Sequence, residues 1–127
     1  MSNKVAFTEA VAAMRAVHPR LDLACAELLD GWDMEPPPTV ALFDVFADAT
    51  RVLLREADPN LQPLFDLVER LLDQGDPQVT ECVAVGFVES LSNTPEDDLD
   101  PVLWKNRLGP RALAHAQAYA DFWGSPY

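Results

Sequence analysis

Two histidines, His18 and His115, and two cysteines, Cys25 and Cys82, are the side chains of this 127-residue sequence best suited to acid–base, nucleophilic or metal chemistry. Imidazole titrates near neutrality, and imidazole and thiolate both ligate transition metals, so such residues carry weight when they recur at short spacing. Here they do not recur. Neither histidine has a second histidine or a cysteine at metal-ligand spacing, and His-Glu-x-x-His, Cys-x-x-Cys and Glu-x-x-His arrangements are missing from the sequence. His18 precedes Pro19 at a helix end, where an imidazolium would complement the helix dipole. His115, within Ala114-His115-Ala116-Gln117, reads as a surface or half-buried residue of the last helix. Cys25 and Cys82 fall in apolar helical stripes, where a thiol is inert. They read as two buried free thiols rather than a disulfide.

Nucleophile and phosphate motifs are equally scarce. There is no Gly-x-Ser-x-Gly, no Gly-x-x-x-x-Gly-Lys and no Gly-x-Gly-x-x-Gly, and the 5 glycines never cluster. Carboxylates are plentiful, but Asp30-x-x-Asp33-x-Glu35 and Glu96-Asp97-Asp98-x-Asp100 do not match a calcium loop, and the second suits a helix N-terminus. The sequence therefore assigns no catalytic residue, no metal ligand and no cofactor. An enzyme would need His18 or His115 set in a cleft beside a carboxylate.

What the sequence does concentrate is negative charge. Nine Lys and Arg stand against 21 Asp and Glu, a formal net charge of −12. Such a balance repels phosphate backbones and anionic lipid, which argues against nucleic-acid and membrane-surface partners. From Leu21 through Thr50 there are seven carboxylates and no Lys or Arg, and from Leu71 through Trp104 there are eight more, again with none. Solubility and helix capping account for part of this surplus. The remainder points to a basic protein partner, because a negative surface speeds encounter with a positive one. Trp32, Met34 and three prolines sit among the first acids, and an apolar anchor ringed by carboxylates suits an interface, although the plainer reading has Trp32 end its helix facing the core. The candidate partner-binding residues are Asp30, Trp32, Asp33 and Glu35, with Glu81, Glu89, Glu96, Asp97 and Asp98 as a second surface.

The elements that must position these residues read as helices almost throughout. Apolar positions recur at helical spacing from Val5 to Val17, from about Arg20 to Trp32 and, after a cap at Thr39, from Val40 to about Ala57. They recur again from Leu61 to Gln74, stopped by Gly75, and from Asp76-Pro77 to about Ser92. In this fifth segment Gln78, Glu81, Val85, Glu89 and Ser92 form one polar stripe, which predicts a central helix, and Gly86 lets a neighbour approach closely. A helix start at Thr94-Pro95, a short helix after Asp100-Pro101 and a last one after Gly109-Pro110 complete the chain. The expected fold is all-α: six or seven short antiparallel helices, in a bundle or a HEAT-like stack, as a single domain over 1–127 with a Pro-rich connection at 33–38. No apolar run reaches membrane-spanning length, and Glu9 and Arg15 interrupt the only stretch resembling a signal core, so a cytoplasmic location is expected.

Val85-Gly86-Phe87-Val88-Glu89-Ser90-Leu91, Leu108-Gly109-Pro110 and Phe122-Trp123-Gly124 resemble small acidic helical bacterial proteins of a domain-of-unknown-function type, encoded near polymorphic secreted toxins. The resemblance spans about residues 76–124 and implies an immunity protein that binds one toxin domain and occludes its active cleft. A basic cleft that acts on nucleic acid would suit an acidic inhibitor. The alternative expectation is a HEAT-like adaptor holding a peptide in an apolar groove with little dependence on salt.

Overall fold

A computed structural model describes residues 4–31, 39–93 and 100–123. Seven helices make up the described chain: α1 (Phe7–Val17), α2 (Pro19–Asp30), α3 (Thr39–Arg55), α4 (Gln62–Gln74), α5 over 77–92, α6 (Val102–Lys105) and α7 (Pro110–Trp123). Among the described residues there is no strand, only one isolated bridge at which Val5 exchanges backbone hydrogen bonds with Gln74 and Asp76 and so ties the start of the chain to the end of α4. The fold is all-α, as the periodicity predicts. The Pro-rich connection, the Thr94-Pro95 start and the Gly124-Ser125-Pro126 ending lie outside the described residues.

Local chemistry explains the boundaries. Pro19 does not merely stop α1; it occupies the first turn of α2, where its missing N–H costs nothing. His18, between the two helices, accepts the Arg20 backbone N–H through Nδ1 at 3.0 Å and so caps α2 with an imidazole. Asp76 caps α5 in the expected way, its Oδ1 accepting the Val79 N–H at 2.8 Å. Glu69, projecting from α4, accepts the backbone N–H groups of Arg111 and Ala112 at 3.0–3.1 Å and thereby satisfies the first turn of α7 from another helix. A Cβ on Gly109 would lie 2.5 Å from Glu69 Oε1, so the Gly-Pro joint is what admits this distant cap.

The centre of α5 differs from a regular α-helix. After an α-helical start at Pro77–Glu81 the turns widen to π geometry over Cys82–Glu89 and tighten again at Ser90–Ser92. Each widened turn takes in an extra residue, which rotates everything downstream relative to an ideal helix. Ser92, expected on the polar stripe, consequently turns inward: it is buried and its Oγ donates to the Val88 carbonyl at 2.8 Å. Gln78, Glu81 and Val85 do face solvent.

Phe43, Phe46, Phe65, Phe87, Met14, Leu71 and Leu91 form one buried core, with Phe43 and Phe46 edge to face at 5.3 Å between ring centroids. α5 runs through it, touching α1, α3, α4 and α7. Gly86 meets α3 so closely that a Cβ would sit 2.7 Å from the Val40 carbonyl oxygen and 2.8 Å from Phe43 Cβ, as expected for a glycine that lets a neighbour in. Helix directions are not uniformly antiparallel. Arg20 at the start of α2 reaches Glu56 beyond the end of α3, so these two oppose each other. Gly86 lies by Val40 and Ser90 by Asp44 and Arg51, so α3 and α5 run the same way, with α4 returning between them. Contacts also cross between α1 and α4 and between α4 and α7. α1 also touches α5, two helix pairs further along, whereas a solenoid confines contacts to consecutive repeats, so of the two expected arrangements this one is a bundle.

Candidate partner-binding site

Both histidines find a carboxylate, and the surroundings decide what each pair can do. His18 is only 9% exposed, and with Nδ1 accepting from Arg20 its Nε2–H donates to Asp58 Oδ2 at 3.2 Å. Both nitrogens are committed to structure, leaving none for a substrate. The Asn60 backbone N–H, donating at 2.7 Å, and His18 hold the Asp58 carboxyl below the usual aspartate range. His115 Nε2 donates to Glu89 Oε2 at 2.8 Å, joining α7 to the end of the π segment, with Tyr119 bonded to Asn93 one turn further along both helices. This pair is half-buried, and neither histidine lines the open grooves beside α1 and α2.

The cysteines are free and buried, and burial pushes both thiols up from their ordinary value. A protonated thiol is a poor nucleophile, which agrees with the inert character read from their apolar stripes. Among the described residues no group of three or more His, Cys, Asp or Glu could hold a metal ion, and no helix is long and apolar enough to cross a membrane.

The carboxylates separate into committed and uncommitted sets. In the first base-free stretch, Asp22 pairs with Arg15 at 2.6 Å, which raises the arginine further, and Asp48 pairs with Arg51. Asp44 accepts from Ser90 Oγ, which itself accepts from Arg51 Nη2 at 2.8 Å. In the second stretch, Asp73 pairs with Arg111 at 2.9 Å, Glu89 with His115, and Asp76 and Asp100 accept backbone N–H groups. The fold thus brings in cations that neither stretch contains. The Asp48–Arg51 pair is a local i,i+3 contact on one helix, but the pairings with Arg15 and Arg111 are made by the fold and do not show in a sequence window.

Of the candidate residues, Asp30 and Glu81 are exposed and have no hydrogen-bond or ion-pair partner among the described residues, whereas Glu89 is engaged by His115. Trp32, Asp33, Glu35, Glu96, Asp97 and Asp98 lie outside the described residues. Glu27, one turn before Asp30 on α2, was not among the candidates; it too is exposed and unpaired among the described residues. Exposed Leu23 and Leu29 flank these acids on the same helix. The helical spacing of 23, 27 and 30 was a signal available in the sequence. Glu81 stands apart on α5, so the described acids do not merge into one surface.

A family model described as a domain of unknown function, DUF7674, matches residues 11–124, reaching well upstream of the segments on which the resemblance rested. No curated protein matches the chain, and no solved structure does.

Proposed function

This chain belongs to the DUF7674 family, and from that premise we propose that it is a non-enzymatic inhibitor of the toxin-immunity type, acting in the cytoplasm by covering the active cleft of a basic toxin domain. The observation that carries this reading is on α2: Glu27 and Asp30 are exposed, unpaired among the described residues, and set beside exposed Leu23 and Leu29. Carboxylates with no internal partner are available to an external cation, and adjacent leucines supply the apolar anchor that charge alone lacks. The same stretch continues in sequence into Trp32, Asp33 and Glu35. The HEAT-like adaptor reading draws less from this fold, because its helices cross-contact as a bundle.

The test uses the toxin domain that this reading expects to be encoded beside the gene. Association followed by stopped flow should slow by about tenfold at low salt when Glu27 and Asp30 are both reversed to Lys, and the salt dependence should flatten. An unchanged rate for the double variant would remove the electrostatic mechanism, and a toxin that stays active when mixed with the wild-type chain would remove the inhibitor reading.

A further inference from the structure

The bundle is open along one side of α2 and α3. Leu23 and Leu28 from α2 and Val45, Ala49 and Val52 from α3 line a groove of about 490 Å³, and Leu23 and Val52 are 54% and 36% exposed. Val45, Ala49 and Val52 step by four and three residues, so they form a single ridge along α3, and the groove follows the helix axes. An acid stands on each wall, Glu27 from α2 and Asp48 from α3. Asp48 pairs with Arg51 yet keeps a side chain 66% exposed, while Arg20 at one end of the groove is held by Glu56 at 2.9 and 3.1 Å.

These features specify the occupant. Both walls are helices whose backbone groups are bonded internally, so an extended peptide would find no ladder to join; a helix brings its own hydrogen bonds satisfied and offers an apolar stripe to such a trough. Glu27, exposed and unpaired among the described residues, calls for a cation beside that stripe, whereas Asp48 is already met by Arg51. A second copy of this chain would bring its own net charge of −12 to the same rim, and an anionic membrane would be repelled. We propose that the α2–α3 groove is the docking site for an amphipathic helix of the partner protein, with its apolar stripe on Leu23, Ala49 and Val52 and a Lys or Arg side chain over Glu27. This rests on the reading of a basic protein partner and adds the mode of binding.

The probe is a labelled peptide of about 18 residues made of Leu, Lys and Ala, with leucines at i, i+3, i+4 and i+7 spacing. A permuted peptide of equal composition without that period serves as the comparison. Fluorescence anisotropy with the full chain at about 150 mM salt should show the periodic peptide binding at least about tenfold tighter than the permuted one. Replacing Leu23 and Val52 together by Gln should weaken it by about tenfold, and Glu27→Lys should weaken it by about fivefold while flattening its salt dependence. All three positions are exposed, and circular dichroism checks that the variants fold. Equal binding of the two peptides, undiminished binding to the Leu23/Val52 variant, or no binding at about 100 µM peptide overturns the groove. A charge-dependent toxin association measured separately would then still uphold the basic-partner reading. Periodic binding that disappears in the groove variants, with a toxin rate insensitive to charge reversal, would uphold the groove and remove that reading instead.

Discussion

Ala57 adopts φ 57°, the left-handed region, at the end of α3. Its own N–H bonds the Leu54 carbonyl at 3.1 Å and the Asp58 N–H bonds the Leu53 carbonyl at 3.0 Å, the paired closure of a Schellman turn. Glycine normally fills that place, because a Cβ there costs about 1–2 kcal/mol. Ala57→Gly should therefore raise stability, by about 0.5–1 kcal/mol once the greater freedom of glycine in the unfolded chain is set against it. The urea midpoint of the variant should move upward; a lower midpoint would mean that the strain is relieved some other way. The next residue makes the same joint sensitive to acid. Asp58 has its carboxyl lowered by the Asn60 N–H and by His18, so its contribution to stability is full above the usual aspartate range and is lost as pH falls through the lowered value. Urea midpoints measured from neutral pH down to about pH 3 should fall less steeply for Asp58→Asn than for the wild type. Parallel curves would show that other carboxylates govern the acid limb.

At the scale of elements, the contact of α3 with α5 is where a single atom matters most. Alanine at position 86 would gain up to about 1 kcal/mol in helix propensity, but its Cβ would have to push away the Val40 carbonyl and Phe43 Cβ. Overfilled contacts of this kind cost about 1–3 kcal/mol, so Gly86→Ala should be destabilising by about 1–2 kcal/mol net. Differential scanning calorimetry would show it as a lowered melting temperature, and a raised one would mean that the two helices are not in such close contact. Gly86 was legible in advance because a glycine in an apolar helical run has few other uses. The Asp76-Pro77 start was legible for a similar reason: both residues act on their immediate neighbours. The π turns were not, since their widening depends on how α5 is held between α3, α4 and α7, and with them the inward turn of Ser92 was lost. The Glu69 cap and the His115–Glu89 pair escaped sequence reading on the same ground, because their partners are chosen by tertiary contact, whereas the His18 cap is local and was missed because histidine is not among the usual capping residues. For the candidate site, Asp30 and Glu81 could be read as exposed acids and Asp48 could be matched to Arg51 three residues on, but the pairing of Asp22 with Arg15, of Asp73 with Arg111 and of Glu89 with His115 could not.

For the whole molecule the deciding quantity is how much of the net charge of −12 survives as a field. Exposed ion pairs such as Arg15–Asp22, Arg20–Glu56 and Arg111–Asp73 each contribute little, and they lose part of that when salt is added. Repulsion among the surplus carboxylates is screened as well, and its relief acts in the opposite direction. With acids exceeding bases by more than two to one, relief should outweigh loss. The melting temperature is then expected to rise by about 2–4 °C between about 10 and 200 mM sodium chloride. The same experiment bears on function, because a field strong enough to destabilise its own bundle is also strong enough to draw in a basic protein from a distance. A melting temperature that falls with salt would show that the internal pairs dominate and that little of the charge is left to act outward. Glu27 and Asp30 would then have to bind by contact alone, and the leucines beside them would become the larger part of the interface.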